Sequence, residues 1–199
     1  MAASVTTTPG DYVPTADQRV VSYGVSWSQY ESQLELRGER SVPRISYLEG
    51  ALELMTPSKD HERLKSYIGR LVEAYALEKG IDLSPYGSWT LEQAPKQAGL
   101  EPDECYLIGD QDRDTPDLAI EVHWTSGGID KLEIYRRLAV REVWVWKDSL
   151  IEVQVLQVGR YQRREKSMVF PELNLAFVCS LLDRPTALQA VKALRQSLR

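Results

Sequence analysis

The sequence predicts an α/β or α+β fold built on a mixed sheet, and three observations carry that expectation. The clearest helical periodicity runs from His61 to Lys79, where Leu64, Ile68, Leu71, Val72 and Tyr75 form one apolar stripe. Strict alternation marks Pro116 to Trp124: Leu118, Ile120, Val122 and Trp124 give an apolar face opposite Asp117, Ala119, Glu121 and His123. The coarse order α-ββ-α-β-β-β-α-β, followed by a late hairpin and a last helix, interleaves helices with strands as a helix-flanked sheet requires.

Residues 1 to about 18, rich in Thr, Ala, Pro and Gly, read as a mobile tail, and 19–199 as one domain. Ser26 caps a short amphipathic helix whose Trp27, Tyr30 and Leu34 share a face. Arg44 to Leu48 and Ala51 to Met55, separated by Glu49-Gly50, form a hairpin. Asp60 is the expected cap of the long helix and Gly80 its stop. Ile81 to Gln93 is expected as a strand with an edge or bulge at Pro85 and Gly87, Ala94 to Gly99 as a loop, and Glu101 to Ile108 as the next strand.

After Trp124, a glycine turn leads into a helix from about Asp130 to Ala139. Glu142 to Lys147 is a strand, and Leu150 to Val155 with Gly159 to Met168 makes the late hairpin. Pro171 to Leu182 reads as irregular and Pro185 to Leu198 as a terminal helix. Cys105 and Cys179 lie in apolar, strand-like runs, so both are expected to be reduced, buried and structural.

Hydrophobic residues make up 43% and charged residues 27%, which fits a soluble domain with a full core. A net charge of -5 gives no global electrostatic case for nucleic-acid binding. The run Arg160, Arg163, Arg164 and Lys166 is the best local one; such a run is more commonly a solvated face. With no signal peptide and no membrane-length apolar run, a cytoplasmic address is the expectation.

The chemistry centres on Glu121. A carboxylate among Ile120, Val122 and Trp124 is costly unless a cation or proton compensates it. Asp103 opens the preceding strand, eighteen positions earlier, and Lys131 begins the following helix. Acids on two neighbouring strands with a lysine close by make a kit for metal-dependent phosphodiester hydrolysis. The carboxylates hold Mg²⁺, and the lysine orients water. Salt bridges to Arg113, Lys131 or Arg136 are the bland alternative for Glu121, and the more favoured one for Asp117. Asp117 lies about 13 Å from Glu121 along an extended strand at about 3.3 Å per residue, too far to share its ion.

These residues resemble the PD-(D/E)XK nuclease superfamily, and within it a large bacterial family of restriction endonuclease-like proteins of unassigned function. The resemblance covers roughly residues 25 to 160. It rests on Leu48-Glu49-Gly50, His61, Glu101-Pro102-Asp103, Pro116-Asp117-Leu-Ala-Ile-Glu121-Val, Lys131-Leu-Glu-Ile-Tyr135 and Val140-Arg-Glu-Val-Trp144. It implies a restriction endonuclease-like core, a mixed central sheet flanked by helices. It implies Asp103 and Glu121 as catalytic metal ligands for Mg²⁺ or Mn²⁺. The superfamily expects lysine two residues after Glu121, where this chain has His123, so the resemblance moves that role to Lys131. Glu49 and Asp117 are auxiliary acids. For His61 and His123 a structural hydrogen bond is the favoured reading, with a site role as the alternative. DNA is the implied partner, and a homodimer is a further expectation. The rival functions are a catalytically silent interaction protein on the same fold, or a hydrolase of smaller phosphate esters.

Overall fold

Two sheets, rather than the one expected, divide the strands. The computed structural model describes residues 16–109, 113–122 and 128–199. The first sheet is antiparallel, with strands β1 (Gln18–Ser22), β2 (Arg44–Leu48), β3 (Ala51–Thr56), β5 (Leu91–Gln93) and β6 (Ala98–Leu100) in the order β1-β3-β2-β6-β5. The second contains β4 (Leu83–Pro85), β7 (Glu104–Ile108), β8 (Leu118–Val122), β9 (Glu142–Lys147), β10 (Leu150–Gln157) and β11 (Arg160–Arg164) in the order β11-β10-β9-β8-β7-β4. It is mixed, because β8 and β9 run parallel while the other pairs are antiparallel.

Local signals explain most elements. Helix α1 (Trp27–Arg37) starts at Ser26 with a full capping box to Gln29. The β2–β3 hairpin turns through Glu49 and Gly50, both at positive φ, 45° and 88°, as a two-residue turn of matching twist requires. Helix α2 (Lys59–Lys79) ends at left-handed Gly80, as expected. Its cap, however, is Ser58, whose Oγ accepts from the His61 amide at 3.2 Å, while Asp60 lies in the first turn. A carboxylate there favours the helix electrostatically without capping it.

The departures have physical causes. The segment expected as one strand from Ile81 to Gln93 is two strands in different sheets. Pro85 closes β4 at the sheet edge, and the chain then turns at Gly87 (φ 59°). The expected loop after Gln93 holds a single 3₁₀ turn (Ala94–Lys96) and then β6. There Gly99 is obligatory, because a Cβ would overlap the Tyr30 ring and hydroxyl. Residues 171–182 are not all irregular: Asn174 caps α4 (Leu175–Leu181), accepting from the Phe177 amide at 3.0 Å. Cys179 therefore lies on a helix and is half-buried, whereas Cys105 is buried in β7, where burial pushes its thiol up to about 12. The expected tail ends in ordered residues, since the Asp17 side chain is buried and Gln18 opens β1.

Helix α3 (Lys131–Leu138) is capped by Asp130, and α5 (Ala187–Ser197) closes the chain. One face of the mixed sheet packs Ile120, Val122 and Trp144 against Leu64, Ile68, Leu71 and Tyr75 of α2, with α4 and α5 beyond. On the other face Ala119, Val143 and Val145 meet Ile134, Tyr135 and Leu138 of α3, which also touches Ala98 and Leu100 of the antiparallel sheet. Helix α3 thus lies between the sheets. The tryptophans of β9, Trp144 and Trp146, are buried in the core. The chain passes from one sheet to the other through Glu101-Pro102-Asp103, all buried. Among the described residues no helix is long and apolar enough to cross a membrane.

Candidate metal centre at the seam of the two sheets

Antiparallel pairing brings the two principal acids together. Glu104 pairs with Ile120 and Cys105 with Ala119, so one further step sets Asp103 opposite Glu121. Both are buried, at 0% and 1% exposure. The Oδ2 of Asp103 accepts the Val122 amide at 2.7 Å, tying it to the strand that carries Glu121. The Oδ1 faces the Arg44 guanidinium and lies 3.0 Å from His61 Nε2. The Arg44 contact is an ion pair, and the His61 contact lacks hydrogen-bond alignment.

Glu121 is held from α3. Lys131 Nζ donates to Oε2 at 2.7 Å, and the Tyr135 hydroxyl donates to Oε1. Lysine and tyrosine four positions apart on a helix share a face, so both reach one carboxylate. Burial, then the Glu121 charge and hydrogen bond, push the Tyr135 phenol well above its ordinary value, and it stays a neutral donor.

A second group of buried charge adjoins these acids. His61 is fully buried, with Nδ1 3.0 Å from Asp17 Oδ2 and Nε2 facing Asp103. Asp17 also accepts the Ser58 amide at 2.9 Å and pairs with Arg19 at 3.3 Å. Arg44 bridges Asp103 and Glu62, the latter at 2.7 Å. Glu53, 1% exposed on β3, accepts the Ile129 amide at 3.2 Å and so ties the approach to α3. Gly128 (φ 99°) permits that approach, since a Cβ there would overlap the Glu53 carboxylate.

Asp17 carries a pH dependence. Burial alone would raise its pKa. The His61 hydrogen bond, the Ser58 amide and the charges of His61 and Arg19 outweigh that and hold it at about 2, below its ordinary 3.8. A lowered carboxyl pKa stabilises the fold fully above pH 3.8, and the contribution is lost as pH falls toward 2. Urea denaturation of Asp17→Asn should accordingly show a shallower loss of stability than wild type across that window. Parallel curves would show that Asp17 does not supply it.

The remaining expected site residues lie elsewhere. Glu49 is an exposed turn residue paired with Arg137 at 2.8 Å. Asp117 sits at the far end of β8 from Glu121. It accepts the Ile108 amide at 2.8 Å and Arg113 at 2.7 Å, closing the connection from β7. His123 lies outside the described residues, as does most of the glycine turn before α3.

Asp17, Arg19, Arg44, Glu53 and Tyr135 were not singled out from sequence. Glu53 had a usable signal, since Leu52-Glu53-Leu54-Met55 embeds a carboxylate in apolar residues just as β8 does. Tyr135 stands four residues after Lys131, and nothing in the run Lys131-Leu-Glu-Ile-Tyr135 sets it apart from the apolar face of its helix. Asp17, Arg19 and Arg44 carry no local signal, because only their distant partners make them special.

Oxygen donors of this kind suit Mg²⁺ or Mn²⁺. Among the described residues no three His, Cys, Asp or Glu side chains gather closely enough to cage an ion. Mg²⁺ commonly takes one or two carboxylates and completes its shell with water and substrate phosphate. The carboxylates of Asp103 and Glu121, set opposite each other by the register of β7 and β8, are the donors that would hold such an ion.

The Uma2 family, described as "Putative restriction endonuclease", matches residues 27–181. No curated protein gives a significant match. Among solved structures, the chain is similar to a "putative nuclease belonging to DUF820" from Anabaena variabilis, at 13% identity and a TM-score of 0.47, over 83% of this chain and 97% of that one.

Proposed function

Since the chain belongs to the Uma2 family of restriction endonuclease-like proteins, we propose that it is a Mg²⁺-dependent endonuclease hydrolysing DNA phosphodiester bonds. The observation that carries this reading is the cross-strand register of Asp103 and Glu121, with Lys131 Nζ 2.7 Å from Glu121.

Asp103 and Glu121 would hold the ion, which when bound neutralises charge on the scissile phosphate and acidifies water. The other tasks belong to this chain's own groups. The Val122 amide and Tyr135 hydroxyl fix the two carboxylates before substrate arrives, so little reorganisation is needed at reaction. Lys131 orients the attacking water and adds positive charge beside the phosphate. The exposed Arg160, Arg163, Arg164 and Lys166, on or just after edge strand β11, are the surface offered to the DNA backbone. Arg163 is partly neutralised by Glu152 at 3.0 Å, so the remaining three carry most of that attraction.

The test is cleavage of supercoiled and single-stranded DNA, and of a small phosphodiester, with Mg²⁺, Mn²⁺ or EDTA. Metal-dependent nicking that disappears in Lys131→Ala is the expected result. Hydrolysis of the small ester alone would assign the site to smaller phosphate esters. Inert, well-folded protein on every substrate would make the chain a nuclease-fold interaction protein.

A further inference from the structure

We propose that Asp17 and His61 form a positioning relay for the Asp103 carboxylate, so that the segment preceding β1 contributes to the affinity of the metal centre. This rests on the reading of Asp103 and Glu121 as metal ligands.

Three elements remote in sequence meet at one imidazole. His61 stands in the first turn of α2, Asp17 directly before β1, and Asp103 on the passage between the sheets. Each ring nitrogen of His61 lies 3.0 Å from a carboxylate oxygen, Nδ1 from Asp17 and Nε2 from Asp103. The ring cannot swing, because a closed circuit holds it. Asp17 Oδ1 accepts the Ser58 amide, Ser58 Oγ accepts the His61 amide, and His61 Nδ1 returns to Asp17 Oδ2.

The consequence for Asp103 is geometric. Its Oδ2 is fixed by the Val122 amide and its Oδ1 is held between His61 and the Arg44 guanidinium, so rotation of the carboxylate is blocked from both sides. A buried cluster of this kind is expensive compared with apolar packing. A purely structural pin between the chain start and α2 would need only Asp17 and Ser58. The second nitrogen, 3.0 Å from Asp103 Oδ1, is the part that such a pin leaves unexplained. Partners that orient a ligand in this way are typically worth about 10- to 100-fold in metal affinity.

The experiment is Mn²⁺ binding to the full chain without DNA, read by electron paramagnetic resonance and calorimetry, with folding of each variant checked by thermal melting. His61→Leu should weaken binding by about 10- to 100-fold. Asp17→Asn should weaken it less, and the double variant no more than His61→Leu alone, because Asp17 acts through the ring. If His61→Leu fails to fold, His61→Gln, which keeps a donor amide, should bind with intermediate affinity. Wild-type affinity in folded His61 variants, or additive losses in the double variant, would overturn the relay. Glu121→Gln separates the two levels: if it abolishes binding while the His61 variants do not change it, the relay alone fails. If wild type binds no Mn²⁺, the metal centre fails and the relay with it.

Discussion

Glu121→Gln is expected to lower metal-dependent DNA cleavage on the order of a thousandfold while leaving the fold intact. The substitution is nearly isosteric, and its carbonyl oxygen still accepts from the Tyr135 hydroxyl. What disappears is the negative charge that would hold the ion, and a bound ion supplies several kcal/mol of transition-state stabilisation at about 1.4 kcal/mol per tenfold in rate. The variant also strands the Lys131 ammonium, which is 9% exposed and loses its counter-ion. Breaking one side of a buried pair costs about 3–5 kcal/mol. Thermal melting should therefore show a loss of stability that adding Lys131→Met recovers, with no return of cleavage. Cleavage that survives Glu121→Gln yet still needs metal would move the ligand assignment to another acid, Glu53 first.

Glu142→Ala is the counterpart, a buried acid whose loss should damage stability and spare chemistry. Glu142 is fully buried where β9 begins. Its Oε1 accepts Trp144 Nε1 and Ser167 Oγ, both at 2.6 Å. Its Oε2 accepts the amides of Met168 at 2.8 Å and Val169 at 3.3 Å. Truncation leaves the buried Trp144 and Ser167 donors unpaired, each costing about 1–3 kcal/mol, frees the two part-buried amides, and opens a void beside Trp144. With partial relaxation, a loss of roughly 3–5 kcal/mol is expected. That is a fall in Tm of about 6–20 °C at 2–4 °C per kcal/mol for a chain of this size. Cleavage per folded molecule well below that Tm should match wild type. A variant with unchanged Tm would mean that the segment from Ser167 to Phe170 is held by its apolar contacts alone.

These two acids illustrate what the sequence discloses. Both stand in strands beside apolar residues, and the pattern of Glu142-Val-Trp-Val-Trp146 is no less telling than that of β8. The difference lies in their partners. Glu142 is answered by donors from its own strand and from residues 167–169, Glu121 by a lysine and a tyrosine on one helix face. Elements were legible where the signal is local: the α2 stripe, the Ser26 cap and the Glu49-Gly50 turn each occupy a few consecutive residues. The division into two sheets was not, because nothing within Ile81 to Gln93 says that its two halves pair with different partners. Strand β1 escaped notice because Gln18 to Ser22 is a half-exposed edge with only Val20 and Val21 as apolar residues. Asp17 escaped for the stronger reason that its burial depends on Ser58 and His61, some forty residues away.

The passage from β6 to β7 through Glu101-Pro102-Asp103 has a consequence for a chain emerging from the ribosome. Asp103 belongs to the hinge between two sheets. Arg44 and Glu53 come from the first sheet, and Glu121 comes from the second, whose β8 needs β9 as its parallel neighbour. Either sheet alone carries only part of the constellation. A half-made polypeptide that had folded its first hundred residues would hold neither principal acid and would lack Lys131. The full constellation of acids and Lys131 would then be assembled only with the finished fold.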